Sequence, residues 1–571
     1  MRVLALLVLL TPLTALAAPT ETGAARVKPD GRTKVLDAAS AEIDRAMTRL
    51  KLGDNGPPFF IGVQVKEFDS REVEGKFGAL YEDASRRYRS VFADVRVGSY
   101  QLDSSPEGSA FDFDFDDAGW RPDQTVPLDD DPHALRTALW LVIDDQYKRA
   151  LASYLKKRGQ EVTRPDDPDH VPSFSREKPV VFLGTDRPLT FDHRAWAKET
   201  RRVTRALEGR PGVFDGEMKV TADRVVRSFV SSEGTRLVTT HLIYGLHVDA
   251  YARAPDGMLL TNSRDYYGAT EAELPRGAAL DGPVRRMLDE LVQLEHAPLV
   301  DPFTGPALLS AQATGVLFHE AIGHRLEGDR EDDSEEGHTF KGQVGNLVLP
   351  PFVSVLDDPT ERLFDAGGQK LSLNGFYRFD EQGVPAQKVT LVDHGVLRTF
   401  LLSRHPVPGF LQSNGHGRAS GDHRPVARMG NLLVLPAKTV PDARLKQMLV
   451  DLARAQHKPY GIYIEDVTGG NTNTAHDGYQ AFKGMSRLVY RVRASDGKEE
   501  LVRGVELVGT PLASVNSIVA MGDKPGVFNG YCGAESGYVP VSTVAPEALL
   551  SELELERSRK HAGRPPILPA P

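Results

Sequence analysis

Two histidines and a glutamate are the residues of this chain best suited to chemistry, in Phe318-His319-Glu320-Ala321-Ile322-Gly323-His324-Arg325-Leu326-Glu327-Gly328-Asp329. Neutral imidazoles bind zinc well and leave it Lewis-acidic. A glutamate beside the first ligand can accept a proton from an activated water and later return it to a leaving amine. The familiar zinc-peptidase spacing sets its histidines four apart, on one helix face. Here they are five apart. In a regular α-helix that separates them by roughly 140°, too far for one metal. A local π-turn would bring them back to nearly one face, and Gly323, just before His324, eases such a distortion. The spacing therefore predicts a distorted helix from near Ser310 to Gly328. Two histidines remain one ligand short, because an open catalytic zinc site takes three protein ligands and leaves a fourth position free. On local pattern alone, a metal site and a pair of surface or capped histidines both fit.

Cys532 is the single cysteine of the 571 residues, so no internal disulfide can form. A lone thiol in an oxidising compartment risks oxidation. It is either a buried inert group or a thiol with a specific task.

Other groups offer weaker signals. Asp329 could hold a ligand imidazole from behind or simply face water at the helix end, and Asp329 to Glu336 reads as a solvated acidic loop. In the glycine-rich segment Ser413-Asn414-Gly415-His416-Gly417-Arg418, His416 could bind substrate or an oxyanion, although a plain loop fits the pattern better. Arg428 could orient a substrate carbonyl or form a structural ion pair. The alternation Phe111-Asp112-Phe113-Asp114-Phe115-Asp116 reads as a strand with phenylalanines inward, in preference to a calcium site. No phosphate-cradling loop and no Ser/His/Asp arrangement can be identified.

The elements that must position these groups fall into two halves. Arg2, the apolar run Val3 to Leu16 and Ala15-Leu16-Ala17 read as a secretory signal peptide over residues 1–18. The run is too short, and too interrupted by Pro12, for a membrane anchor. The mature protein is expected in the periplasm or secreted, with no stable membrane anchor. Residues 19–33 read as a disordered linker, and 34–300 as a mixed α/β domain with insertions near 104–131 and 159–189. Thr33 to Lys51 has one apolar helical face: Val35, Leu36, Ala39, Ile43, Ala46, Met47 and Leu50. Val213 to Tyr267 is strand-rich. Residues 301–545 read as a β-rich domain that begins with the histidine helix and is interrupted by one helix, Pro441 to Ala455. Residues 546–571 read as a tail with a short charged helix. The fold class is α+β, because the βαβα rhythm of a doubly wound sheet is absent. A net charge of −10 with acids and bases interspersed excludes a basic stripe for nucleic acid.

The stretch His319 to Asp329 resembles the signature of the TldD/PmbA metallopeptidases, whose active members carry His-Glu-x-x-x-His and a distant cysteine. The resemblance runs from Leu317 to Val541. It takes in Val426-Ala427-Arg428-Met429-Gly430-Asn431, Gly469-Gly470 after a strand, Arg503 to Gly509, and Tyr531-Cys532-Gly533 followed by Gly537 to Val541. It implies that His319, His324 and Cys532 bind zinc and that Glu320 is the general base, which fills the missing ligand position and gives the lone thiol a role. It further implies a barrel-like C-terminal domain with the metal helix at the domain junction, unfolded peptides as substrate, and a homodimer or a heterodimer with a paralogue. Gly469, Gly470, His416 and Arg428 are the candidate substrate-binding residues. The chain departs from the pattern at Tyr538, where the family has glutamine, in its enlarged N-terminal half, and in its export signal. The competing reading is a non-enzymatic exported module with a closed structural zinc site, His338 or Asp329 being the fourth ligand. A metal hydrolase of another bond is the second alternative.

Overall fold

A computed structural model of the chain describes residues 31–105, 124–161, 171–207, 210, 212–333, 336–475 and 481–558. The expected signal peptide, the linker up to residue 30 and the Phe/Asp alternation at 111–116 lie outside the described residues.

The first half is built on α1 (Gly31–Arg49), β1 (Phe60–Lys76), β2 (Ala79–Arg96), α2 (Pro132–Glu161), β3 (Val181–Leu183), α3 (His193–Leu207), β4 (Val213–Ser231), β5 (Arg236–Arg253), β6 (Leu259–Gly268) and α4 (Ala278–His296). The strands form one sheet in the order β2-β1-β4-β5-β3, with β6 also on β5. All pairings are antiparallel except the short β3–β5 contact. The long strands let two helix pairs share one sheet. The α1 face predicted by periodicity is buried: Val35, Leu36, Ala39, Ile43 and Ala46 join α2 residues over Ile61, Val63 and Val65 of β1. The α3 and α4 residues Trp196, Val203, Met287 and Leu291 cover Met218, Val220 and Leu246 of the other half.

The second half opens with β7 (Phe303–Leu309) and α5 (Ala311–Phe318) and holds one further long helix, α6 (Asp442–Ala455). Strands Tyr460–Thr472, β7, Ala548–Arg557, Val505–Gly509 and Phe482–Arg493 pair in that order, and the first also pairs with the last. Five strands thus close into a barrel, which removes their free edges. A second sheet runs Val396–Leu397, Val389–Asp393, Val353–Asp357, Asn431–Pro436, Gly537–Ala545 and Gly526–Ala534. Helix α5 is wedged between the barrel strand Tyr460–Thr472 and the last two strands of that sheet. The α+β class and the barrel-like second half are therefore the observed architecture.

One expectation needs correction. The tail was expected to carry a short charged helix, but Ala548–Arg557 is a barrel strand. Leu553 and Leu555 are buried between glutamates, so the alternation of period two outweighs the helix propensity of Leu and Glu. The helix predicted from Ser310 to Gly328 as distorted is α-helical to Phe318 and leaves that geometry at His319.

Candidate metal centre

Ser310 caps the N-terminus of α5, its hydroxyl accepting the Ala313 N–H at 3.1 Å. After Phe318 the backbone widens into one π-turn, His319–Gly323, and then tightens into a 3₁₀ turn, His324–Leu326. The His324 N–H donates to the His319 carbonyl, the i to i+5 bond that defines a π-turn. This is the distortion that the five-residue spacing predicts. Gly323 has an ordinary helical backbone, and what requires glycine there is packing: a Cβ would fall 2.1 Å from the Met429 sulfur. Arg325 staples the turn to the barrel, donating to the Glu320 carbonyl at 2.8 Å, Thr472 Oγ1 at 3.0 Å and the Asn473 carbonyl at 3.1 Å.

The turn aims both imidazoles at the strand Gly526–Ala534, which carries Cys532. His319 Nε2 lies 3.1 Å and His324 Nε2 3.3 Å from Cys532 Sγ. The rings stand edge to face, 88° apart, with centroids at 5.0 Å. All three residues are buried, and their donor atoms lie within 4.8 Å of one another. Zinc bonds of about 2.0–2.3 Å at tetrahedral angles put N and S donors about 3.6 Å apart, within half an ångström of these distances. Two imidazoles and a thiolate are a zinc-type donor set, so the residues fit the metal. Burial pushes the Cys532 thiol up, but the His324 and His319 rings outweigh it and hold the group well below the ordinary thiol range. Burial likewise opposes charge on the histidines, yet Cys532 raises both, and Glu327 raises His324 further. The thiolate and the two rings thus favour each other's charged forms, and a divalent metal would take the place of the ring protons beside the thiolate.

Glu327 was not singled out from sequence. Its carboxylate faces His324 Nδ1 at 3.1 Å and so fixes which nitrogen is free for the metal. Burial raises its pKa, but His324, Arg330 and Arg428 outweigh that and hold it to about 2. Arg330 donates to it at 3.0 Å, and Arg428 Nε lies 3.4 Å from its other oxygen. The sequence signal was present: a carboxylate three residues after a ligand histidine, one turn along the same face. Asp329, the residue weighed for this role, accepts instead from the Ser403 hydroxyl at 2.9 Å. His338 Nε2 meets the Asp333 carbonyl. Among the described residues neither joins the cluster, which holds three donors.

Glu320 lines a cavity of about 1120 Å³ together with His319, His324 and Cys532, and Gly469 and Gly470 form part of its wall. The Glu320 side chain lies against the Gly470 backbone, where a Cβ would sit 2.6 Å from Glu320 Cγ. Burial raises the Glu320 carboxyl above its usual range, against the lowering pull of the His319 and His324 rings. Two other candidates are placed differently from their expected substrate role. His416 is fully buried away from the cavity, its Nε2 3.2 Å from Asp357 and its Nδ1 2.9 Å from Asn414 Oδ1. Arg428 is equally buried and donates to the Cys532 carbonyl at 2.8 Å and Ser536 Oγ at 2.9 Å, so it braces the ligand strand.

Residues 303–557 match the PmbA/TldA metallopeptidase C-terminal domain. The second half of the chain is therefore similar to that domain, and the match covers a little under half of the 571 residues. A metalloprotease of Archaeoglobus fulgidus is 30% identical over 42% of this chain and 51% of its own length. A metalloprotease of Methanothermobacter thermautotrophicus is 26% identical over 60% of this chain and 72% of its own length. The chain thus spans about half of the first relative. TldE from Thermococcus kodakarensis superposes with a TM-score of 0.57 at 12% identity, covering 92% of this chain and 100% of that one, which is a likeness of fold. The His/His/Cys cluster lies inside the matched domain, on elements from its beginning and its end.

Proposed function

We propose that this chain is a zinc-dependent peptidase that hydrolyses unfolded peptides outside the cytoplasm. The observation that carries the reading is the convergence of three buried donors and a buried carboxylate on one wall of a large cavity. His319, His324 and Cys532 would hold the metal, and among the described residues no fourth protein donor closes the site. Bound zinc would supply Lewis-acid activation of a water and of the scissile carbonyl. Glu320 accepts the proton of the attacking water and returns it to the departing amine. Glu327 keeps His324 in one tautomer, and Arg428 fixes the Cys532 backbone. The cavity walls come from both halves, including Arg96, Asp265 and Tyr267 from the first. Such a chamber suits an extended chain and excludes a folded protein. The location outside the cytoplasm rests on the N-terminal apolar run. Assembly as a homodimer, or as a heterodimer with a paralogue, belongs to the same proposal and rests on the family likeness.

Metal analysis of wild type and Cys532→Ser, with unfolded casein offered to wild type and Glu320→Gln, tests the reading. One zinc per chain lost in Cys532→Ser, and cleavage abolished in Glu320→Gln, are expected. Full metal in Cys532→Ser would remove the ligand set, and cleavage surviving in Glu320→Gln would remove the base.

A further inference from the structure

The charges that line the cavity are nearly all balanced within the protein. Arg96 is chelated by Asp94 and Asp103. Arg330 is shared by Glu327, Glu336 and Glu535. His405 faces Asp332 at 3.2 Å, and Asp265 faces His247 at 2.7 Å. Arg424 differs. Its guanidinium lines the cavity and, among the described residues, makes no hydrogen bond or ion pair. Lys157 on α2 is the other lining cation in that position, but it is a flexible ammonium where Arg424 presents a planar fork. Asp94, Asp103 and Asp329 lie near enough to act on Arg424 through space, yet the first two are engaged by Arg96 and the third accepts from Ser403. Burial is the first influence on the Arg424 pKa, and it lowers it. Arg424 is partly exposed, so its fork meets the solvent of the cavity unpaired, and an anion that accepts from both of its arms would complete it.

The backbone holds Arg424 in place. Pro425 follows it, restricts it to extended conformations, and is itself buried. Arg428, four residues on, is bonded to the Cys532 carbonyl. Four extended residues span at most about 14 Å. Arg424 and the metal cluster line the same cavity, and the Arg424 backbone lies no more than that distance from the Arg428 backbone.

We propose that Arg424 is a specificity-determining residue that binds a carboxylate of the peptide, either its C-terminal group or an acidic side chain. The inference rests on the peptidase reading but is tested by binding alone. The Glu320→Gln chain would be titrated into three fluorescein-labelled hexapeptides of Ala, Gly and Ser: a free acid, its neutral C-terminal amide, and that amide with one internal Glu. At least one acidic peptide should bind about tenfold or more tighter than the neutral amide. The peptide that does so identifies the source of the carboxylate. Adding Arg424→Gln should erase the difference, and Arg424→Lys should restore part of it. Metal content and thermal unfolding of both variants should match the parent. Equal binding of all three peptides, no binding of any, or discrimination that survives Arg424→Gln in the folded chain would overturn the inference. Failure of the peptidase reading would show separately, as casein left intact by the zinc-loaded wild type while the discrimination holds.

Discussion

Two places among the described residues bring three potential metal-donor atoms within 4.8 Å of one another: His319, His324 and Cys532 in the second half, and Glu72, Glu74 and Glu82 in the first. Their origins differ. The glutamates come together by the ordinary geometry of an antiparallel pair, since Glu72 and Glu74 share one face of β1 and Glu74 lies opposite Glu82 of β2. They are half-buried and already neutralised, by Lys219 against Glu72 and Glu74 and by Arg86 against Glu72 and Glu82. The His/His/Cys group needs a π-turn, a glycine that lets Met429 approach, and a strand more than 200 residues later in the chain. Closeness of donors is therefore weak support for a site. Burial, donors with no alternative cation, and a backbone distorted to aim them are much stronger support.

The comparison sharpens into graded expectations. Glu320→Gln should lower peptide cleavage by about 10²–10⁴-fold with metal content unchanged, because it removes only the proton acceptor. Gly470→Ala should follow, with a loss of about 10²-fold in kcat and retained metal. Its Cβ would displace the base, and misplacements of about 1 Å carry penalties of that size.

Glu327→Gln should weaken metal affinity by about 10–100-fold, as measured by chelator competition. The same residue has a signed pH dependence. Its folded pKa, about 2, lies below the usual 4.5. Its stabilising contribution is therefore fully present above 4.5 and fades as pH falls towards 2. Urea titrations at several pH values should show the stability gap between wild type and Glu327→Gln closing over that interval. The smallest effect is expected from Glu72→Gln combined with Glu74→Gln and Glu82→Gln. That variant should keep its metal and change stability by no more than about 1 kcal/mol per pair, as ion pairs open to solvent on one side do.

What could be read in the sequence follows the same division. The π-turn was legible because a five-residue spacing and a metal cannot coexist on a regular helix. The α1 face was legible because Val35, Leu36, Ala39, Ile43 and Ala46 repeat with helical period and are buried. Glu327 was missed because its role depends on which way His324 turns, and a π-turn followed by a 3₁₀ turn changes the facing of every later residue. His416 and Arg428 resemble substrate groups in sequence for the reason they are buried in the fold. Both are polar residues in a constrained segment, and only tertiary packing distinguishes a wall facing outward from one facing inward. The barrel strand Ala548–Arg557 had its alternation written in Leu553 and Leu555, but its barrel partners, β7 and Val505–Gly509, lie far back in the chain.

The most direct test is zinc stoichiometry in three purified chains: wild type, Cys532→Ser, and the variant with Glu72, Glu74 and Glu82 all changed to glutamine. One zinc per chain in wild type and the glutamine variant, with none in Cys532→Ser, is the predicted result. Zinc that survives in Cys532→Ser, or that disappears with the three glutamates, would contradict the assignment of the metal to His319, His324 and Cys532.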